Sequence, residues 1–252
     1  MYIDLYWAIQ LATVANPILA GKAPVPASSD APLQAMPLRI MRLEPRDLPD
    51  APRVASVSDW LKLLKSQTIP AIALSYSRTS PQQELLGPVI HIVKPEEVQM
   101  WQVDIEQDPD AADPTGIGRG VLRLFGPRLG DWFTPASVED AFDRHRDAVL
   151  SARRYAISAM DGAFCDAFDA ALRELDASRP TPPAKRIMPL HEHYPAQARN
   201  LAAALSVGWV FGGMGSWTDF GGDEEYAQIT DRLWSSIGDA VEAIGSGQVL
   251  TG

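Results

Sequence analysis

The stretch Met100-Trp-Gln-Val-Asp-Ile105 alternates apolar with polar residues. A period of two is typical of a β-strand that buries one face and leaves the other in solvent. We therefore expect Trp101, Val103 and Ile105 to point toward a core, with Gln102 on the outer side.

Similar patterns flank this stretch. Pro70-Ala-Ile-Ala-Leu-Ser-Tyr-Ser77 alternates, Val89-Ile-His-Ile-Val93 is a continuous β-branched run, and Gly120-Val-Leu-Arg-Leu-Phe125 is a further candidate strand. The connections are too short for helical crossovers between parallel strands. The pattern predicts a small, mostly antiparallel sheet within a β-rich part at residues 54–130.

Residues 134–246 have the period of helices. Thr134-Pro135 offers an N-cap followed by proline at the first helical position, and Asp161-Gly162 predicts a kink or break. Two further helices are expected at Ala196–Leu205 and Glu224–Ile244. These helices would form a C-terminal layer on the sheet, so the predicted fold class is α+β.

The N-terminal part has a different composition. Tyr2–Val14 is apolar, but Asp4 and Gln10 break the continuous apolar core that a secretory signal needs. The segment therefore predicts a buried helix. Residues 21–53 form a proline-rich connector, with Leu38-Arg-Ile-Met-Arg-Leu43 as a possible strand. A short helix is expected at Trp60–Lys65. We predict one domain over residues 1–252, without internal repeats.

Charge and cysteine content restrict the classes of function. The 252 residues carry a net charge of −10, which argues against a nucleic-acid-binding protein because such proteins need a basic surface. No apolar run is long enough to span a bilayer. The single cysteine excludes an intramolecular disulfide and fits the cytoplasm. The acidity favours either solubility alone or a basic protein partner.

The segment Trp209-Val-Phe-Gly-Gly-Met-Gly-Ser-Trp-Thr-Asp-Phe-Gly-Gly222 is rich in glycine and aromatic residues. It is neither a phosphate-binding loop, because it contains no lysine, nor a dinucleotide fingerprint, because it lacks the third glycine. One interpretation is a packed corner formed by Trp209, Phe211 and Trp217. The other is a binding surface, since aromatic side chains anchor interfaces.

Two features of the sequence contain residue types that often carry catalysis, a histidine pair and the single cysteine. His191-Glu-His193 could contribute to a metal site but lacks a third ligand nearby in sequence, so surface histidines are the simpler interpretation. Cys165 is expected within a helix beside Phe164 and Phe168, as a small core residue. We predict no catalytic residue, no metal and no cofactor.

Two acidic clusters are the remaining candidates. The run from Asp104 to Asp113 includes Asp108 and Asp110 and does not match a calcium-binding loop. A second cluster, at Asp219 and residues 223–225, adjoins the aromatic segment. Each is either a solvated surface or a negative patch that docks a basic partner.

The residues Val210-Phe-Gly-Gly-Met-Gly-Ser-Trp-Thr-Asp219 resemble a C-terminal motif of small bacterial proteins, some of them encoded beside polymorphic toxins as immunity proteins. The resemblance covers roughly the last fifty residues. It implies stoichiometric binding of a cognate toxin, with no catalytic residues to carry over.

The sequence therefore predicts a cytoplasmic, non-enzymatic protein that neutralises a basic toxin by covering its active site, without nucleic-acid or membrane partners. One alternative is a hydrolase-like enzyme with a site around His191 and His193, completed by Glu192 and Asp219. Another is a structural component of an assembly. The predicted partner-binding residues are Trp217, Asp219, Phe220, Asp223 and Glu224, with Asp108 and Asp110 as a secondary patch.

Overall fold

The computed structural model describes residues 3–25, 42–43, 57–76, 88–93, 98–106, 119–128, 135–159, 162–178, 190, 192–212, 215–220 and 222–246. In chain order the elements are α1 (Ile3–Leu19), β1 (Arg42–Leu43), α2 (Val57–Ser66), β2 (Ile72–Ser75), β3 (Val89–Val93), β4 (Val98–Glu106), β5 (Arg119–Arg128), α3 (Val138–Ala159), α4 (Cys165–Asp176), α5 (Ala196–Val207), a 3-10 turn (Trp217–Asp219) and α6 (Glu224–Gly245).

The five strands form one sheet in the order β1-β5-β4-β3-β2. Strands β2 to β5 pair antiparallel, with Ile90 opposite Trp101. The two-residue strand β1 pairs parallel to β5, with Arg42 opposite Val121. These pairings and the helices that follow confirm the predicted α+β class, with a small, mostly antiparallel sheet and a C-terminal helical layer.

The predicted inward-facing side chains of β2 and β4 are buried wherever the structure describes them. Trp101 is buried, and so are Ile72, Leu74 and Tyr76. Ala73 between them is buried too, so β2 has little solvent on either face. The side chains of residues 103–106 and 119–128 lie outside those that the structure describes.

Helix α1 is buried as predicted, although it ends at Leu19 and not at Val14. Asn16, in its last turn, is buried and joins three elements. Its side-chain amide donates to the carbonyl of Gly245 at 3.2 Å, and its Oδ1 accepts from the backbone N–H of Ile72 at 2.9 Å. One side chain therefore fixes α1 to the end of α6 and to the start of β2.

The predicted start of α3 is wrong. The helix begins at Val138, and Pro135 lies before it in non-helical backbone; Thr134 is outside the described residues. Ser137 is the cap: its Oγ accepts from the N–H of Asp140 at 3.0 Å and donates to that residue's carboxylate at 2.7 Å. Ser137 thus satisfies one of the free N–H groups of the first turn of α3.

The predicted break at Asp161-Gly162 is confirmed. Helix α3 ends at Ala159, Gly162 has a φ of +78°, and α4 begins at Cys165. Phe164 has a φ of +66°, which is uncommon for an aromatic residue and marks local strain. This turn reverses the chain so that α4 packs against α3.

One continuous apolar cluster joins α1, the sheet and the helical layer. Helix α6 and strand β2 approach each other closely at Gly245. A methyl group added at Gly245 would lie 2.4 Å from Cβ of Leu74, so only glycine fits there without movement.

Candidate protein-binding surface

Trp217 is the centre of the aromatic segment and is fully buried. Its ring stacks on Tyr226 with centroids 5.5 Å apart and an interplanar angle of 19°. Phe164 and Phe168 meet it edge-on at 5.6 and 5.4 Å. Tyr155 of α3 is a fourth neighbour at 6.3 Å. Such geometries are the favoured ones for aromatic pairs, so this group is a packed corner between α3, α4 and α6.

Hydrogen bonds hold the same tryptophan in place. Its indole N–H donates to Oγ1 of Thr230 at 2.8 Å, and its backbone N–H donates to the carbonyl of Val210, also at 2.8 Å. The hydroxyl of Tyr226 donates to the carbonyl of Trp217. All three bonds are internal to the fold, and they fix the loop against the first two turns of α6.

A second aromatic group forms around Trp234 of α6. Phe211 lies edge-on to it with centroids 5.0 Å apart, and Trp209 and Tyr76 lie at 6.2 and 5.4 Å. Phe211 is buried and Trp209 is half-buried. The packed-corner interpretation of Trp209, Phe211 and Trp217 is therefore confirmed. The sequence alone does not mark Trp234, Tyr155 or Tyr226 as members of these aromatic groups, because their only signal is a place on apolar helical stripes.

The burial of Trp217 changes its place in the predicted site. A side chain with no exposed surface does not contact a partner in this conformation. Trp217 supports the loop from beneath, and the exposed aromatic residue above it is Phe220, with 42% of its surface accessible. Phe220 meets Phe164 edge-on at 5.3 Å and 85°. The strained Phe164 is thus the link between the buried corner and the surface.

Two of the predicted carboxylates are exposed and also cap backbone N–H groups. Asp219 accepts from the N–H of Ser216 at 2.9 Å, and Asp223 accepts from that of Tyr226 at 2.9 Å as the N-cap of α6. Asp223 also lies 3.4 Å from the hydroxyl of Tyr155. Burial, together with the negative charge of Asp223, raises the pKa of Tyr155. Both aspartates therefore contribute to structure as well as to surface charge.

Glu224 and Glu225 are exposed in the first turn of α6. Glu224 accepts from the side-chain amide of Gln228 at 3.3 Å, one turn further along. Such exposed contacts contribute only a few tenths of a kcal/mol. The surface formed by Asp219, Phe220, Asp223, Glu224 and Glu225, hereafter the acidic aromatic surface, joins one exposed ring to carboxylates on a rigid support.

The other predicted residues have separate outcomes. Asp108, Asp110 and His191 lie outside the described residues, whereas Glu192 is exposed and His193 is half-buried. Within the described part of the chain, no cluster of three histidine, cysteine or carboxylate side chains could hold a metal ion. The mid-helix position predicted for Cys165 is wrong, because Cys165 is the first residue of α4, where its half-buried side chain packs against the main apolar cluster.

Comparison of the chain with protein-family models, curated proteins and solved structures found no significant match. The resemblance to immunity proteins therefore remains a prediction. Among the helices described, none is long and apolar enough to cross a membrane.

Proposed function

We propose that this chain is a non-enzymatic protein-binding module that docks a basic protein through the acidic aromatic surface. The observation that carries the proposal is Phe220, exposed among four acidic residues and held edge-on by Phe164 at 5.3 Å. Large exposed aromatic residues on rigid supports are frequent anchors of interfaces. Surrounding carboxylates would steer a basic partner and set the orientation of docking.

The chain's charge supports the same class of partner. A net charge of −10 attracts a basic surface over about a Debye length at low salt. The resemblance of Val210–Asp219 to immunity proteins makes a toxin domain the partner that we propose, neutralised in the cytoplasm when its active site is covered. Asp108 and Asp110 are proposed as a secondary contact.

The first test is growth. The chain is co-expressed with a candidate toxin encoded beside it, and colony counts are compared with and without the chain. Protection of growth, together with a 1:1 complex of the two purified proteins, would support neutralisation. A folded chain that gives no protection and forms no complex with that toxin would contradict the proposed partner.

The second test locates the surface. Glu224→Lys should weaken the complex and reduce its salt dependence, because it reverses a charge on the acidic aromatic surface. Glu139→Lys is the matched control, since Glu139 is an exposed residue in the first turn of α3, as Glu224 is in α6. Equal effects of the two variants would show that net charge matters and the surface does not. Glu224 is a better probe than Asp219 or Asp223, because charge reversal at either aspartate would also remove the cap of the 3-10 turn or of α6.

A further inference from the structure

Helices α3 and α6 pack antiparallel, and a cleft lies at the surface where they meet. Nδ1 of His145 lies 3.0 Å from Oγ of Ser236 near one end of the pair, and Tyr155 meets Asp223 near the other. Between them lies an open cleft of about 400 Å³. Its polar lining comes from both helices and includes Arg154, Ser158, Glu225, Gln228 and Arg232.

The two arginines that line this cleft are Arg154 of α3 and Arg232 of α6. They differ from the other arginines of α3 in having no ion-pair partner in the part of the chain that the structure describes. The other three arginines of α3 each pair with an aspartate on a neighbouring helix. Arg144 lies 2.9 Å from Asp239, Arg146 lies 3.1 Å from Asp176, and Arg153 pairs with Asp169. Within the described residues, Arg154 and Arg232 have neither an ion-pair nor a hydrogen-bond partner. Two unpaired guanidinium groups on one cleft are notable in a chain with 32 acidic and 22 basic residues.

The other side chains define what the cleft could bind. Tyr155 and Ile229 line it and are each 8% exposed, so they form a small buried part of a mostly polar lining. Glu225 supplies an acceptor and a negative charge next to Tyr155. The cleft thus combines donors for an oxyanion with one acceptor for a cationic or hydroxyl group.

We propose that the cleft between α3 and α6 is a binding site for a small zwitterionic metabolite, in which Arg154 and Arg232 hold a carboxylate or phosphate and Glu225 receives an ammonium group. Guanidinium groups bind both oxyanions by paired hydrogen bonds. The volume of the cleft is in the range of small-molecule sites and exceeds that of a bare inorganic ion. This site shares Glu225 with the acidic aromatic surface, but its oxyanion-binding groups are Arg154 and Arg232, which are not part of that surface.

The test uses four small probes and the full chain. Phosphoethanolamine carries phosphate and ammonium, β-alanine carries carboxylate and ammonium, ethyl phosphate lacks the ammonium, and ethanolamine lacks the oxyanion. Binding is measured by chemical-shift titration, which also locates the perturbed residues. We expect one of the two zwitterions to bind at least tenfold more tightly than ethyl phosphate and ethanolamine, with shifts centred on Arg154 and Gln228.

Variants separate this site from general charge. Arg154→Gln and Arg232→Gln should each weaken the bound zwitterion at least fivefold, whereas Arg146→Gln, which removes a surface-paired arginine of the same helix, should change the affinity less than twofold. Glu225→Gln should reduce the preference for the zwitterion over ethyl phosphate.

Thermal unfolding confirms that each variant is folded. Equal affinities for all probes, equal effects of the three arginine variants, or shifts outside the cleft would overturn the proposal. Saturation by an acidic peptide but by none of the four probes would identify a protein-docking patch and would also overturn it.

Discussion

The indole N–H of Trp217 donates to the hydroxyl of Thr230 at 2.8 Å, and this bond joins the aromatic loop to the second turn of α6. Trp217 is fully buried, with 0% of its surface accessible. A buried donor without an acceptor is costly. The position of the loop on the helical layer therefore depends on a polar contact as well as on ring packing.

Replacement of Thr230 with valine keeps the shape and removes the acceptor. We expect the free energy of unfolding to fall by about 1–3 kcal/mol, because the indole N–H stays buried and unpaired. Urea unfolding of Thr230→Val, Trp217→Phe and the double variant measures the coupling. Strictly additive losses would show that the bond contributes nothing to stability.

Alanine substitutions at Phe220 and Phe168 should distinguish a residue that binds the partner from one that stabilises the fold. Both rings belong to the same aromatic group, but Phe220 is 42% exposed and Phe168 is fully buried. We expect Phe168→Ala to lower the free energy of unfolding by about 3–5 kcal/mol, as for other buried phenylalanines. Phe220→Ala should cost about 1 kcal/mol or less while it weakens partner binding. Similar losses of stability in the two variants would mean that Phe220 is a structural residue.

His145 makes stability depend on pH. It is buried on α3, and desolvation lowers its pKa from 6.5 to about 4. Ser236 donates its own hydroxyl hydrogen to the carbonyl of Leu233 at 2.7 Å, so the contact with Ser236 requires a proton on Nδ1 of the neutral imidazole.

The sign of the effect follows from proton binding. Between pH 6.5 and about 4 the unfolded chain binds a proton at this position and the folded chain does not, so stability falls as the pH is lowered through this window. The slope attributable to one proton is about 1.4 kcal/mol per pH unit. His145→Gln should flatten the stability profile between pH 6 and 4.5, because it removes the group that takes up the proton. Identical profiles for the wild type and His145→Gln would contradict this assignment.

Gly245 sets the distance between α6 and β2. Alanine normally stabilises a helix interior relative to glycine by about 1 kcal/mol. Here we expect Gly245→Ala to destabilise the fold by about 1–3 kcal/mol, because the new methyl would lie 2.4 Å from Cβ of Leu74. Combination with Leu74→Gly, which removes that Cβ, should cost less than the sum of the single changes. A stability equal to or above that of the wild type would show that the two elements separate easily.

The local features of this fold follow well from its sequence. The alternation in β2 and β4, the break at Gly162 and the extents of α5 and α6 all reflect periodicity and backbone preference within a few residues of chain. Their physical causes are short-range, so one sequence is enough to reveal them.

Long-range features could not be predicted in the same way. The parallel pairing of β1 with β5 joins Arg42 to Val121, and no local pattern encodes that choice. The cleft depends on the antiparallel approach of α3 and α6, which brings Arg154 and Arg232 to one place. The capping role of Asp219 could have been found, since Ser216-Trp-Thr-Asp219 is spaced as a capping box.

The contacts of Asn16 have a consequence for biosynthesis. Its amide partner is the carbonyl of Gly245, 229 residues later in the chain. During translation the apolar helix α1 therefore lacks its final docking site until α6 has left the ribosome, a delay of roughly 10 to 45 s at ordinary elongation rates. Asn16 also accepts from Ile72, only 56 residues later, so α1 can dock on the sheet well before its contact with α6 forms.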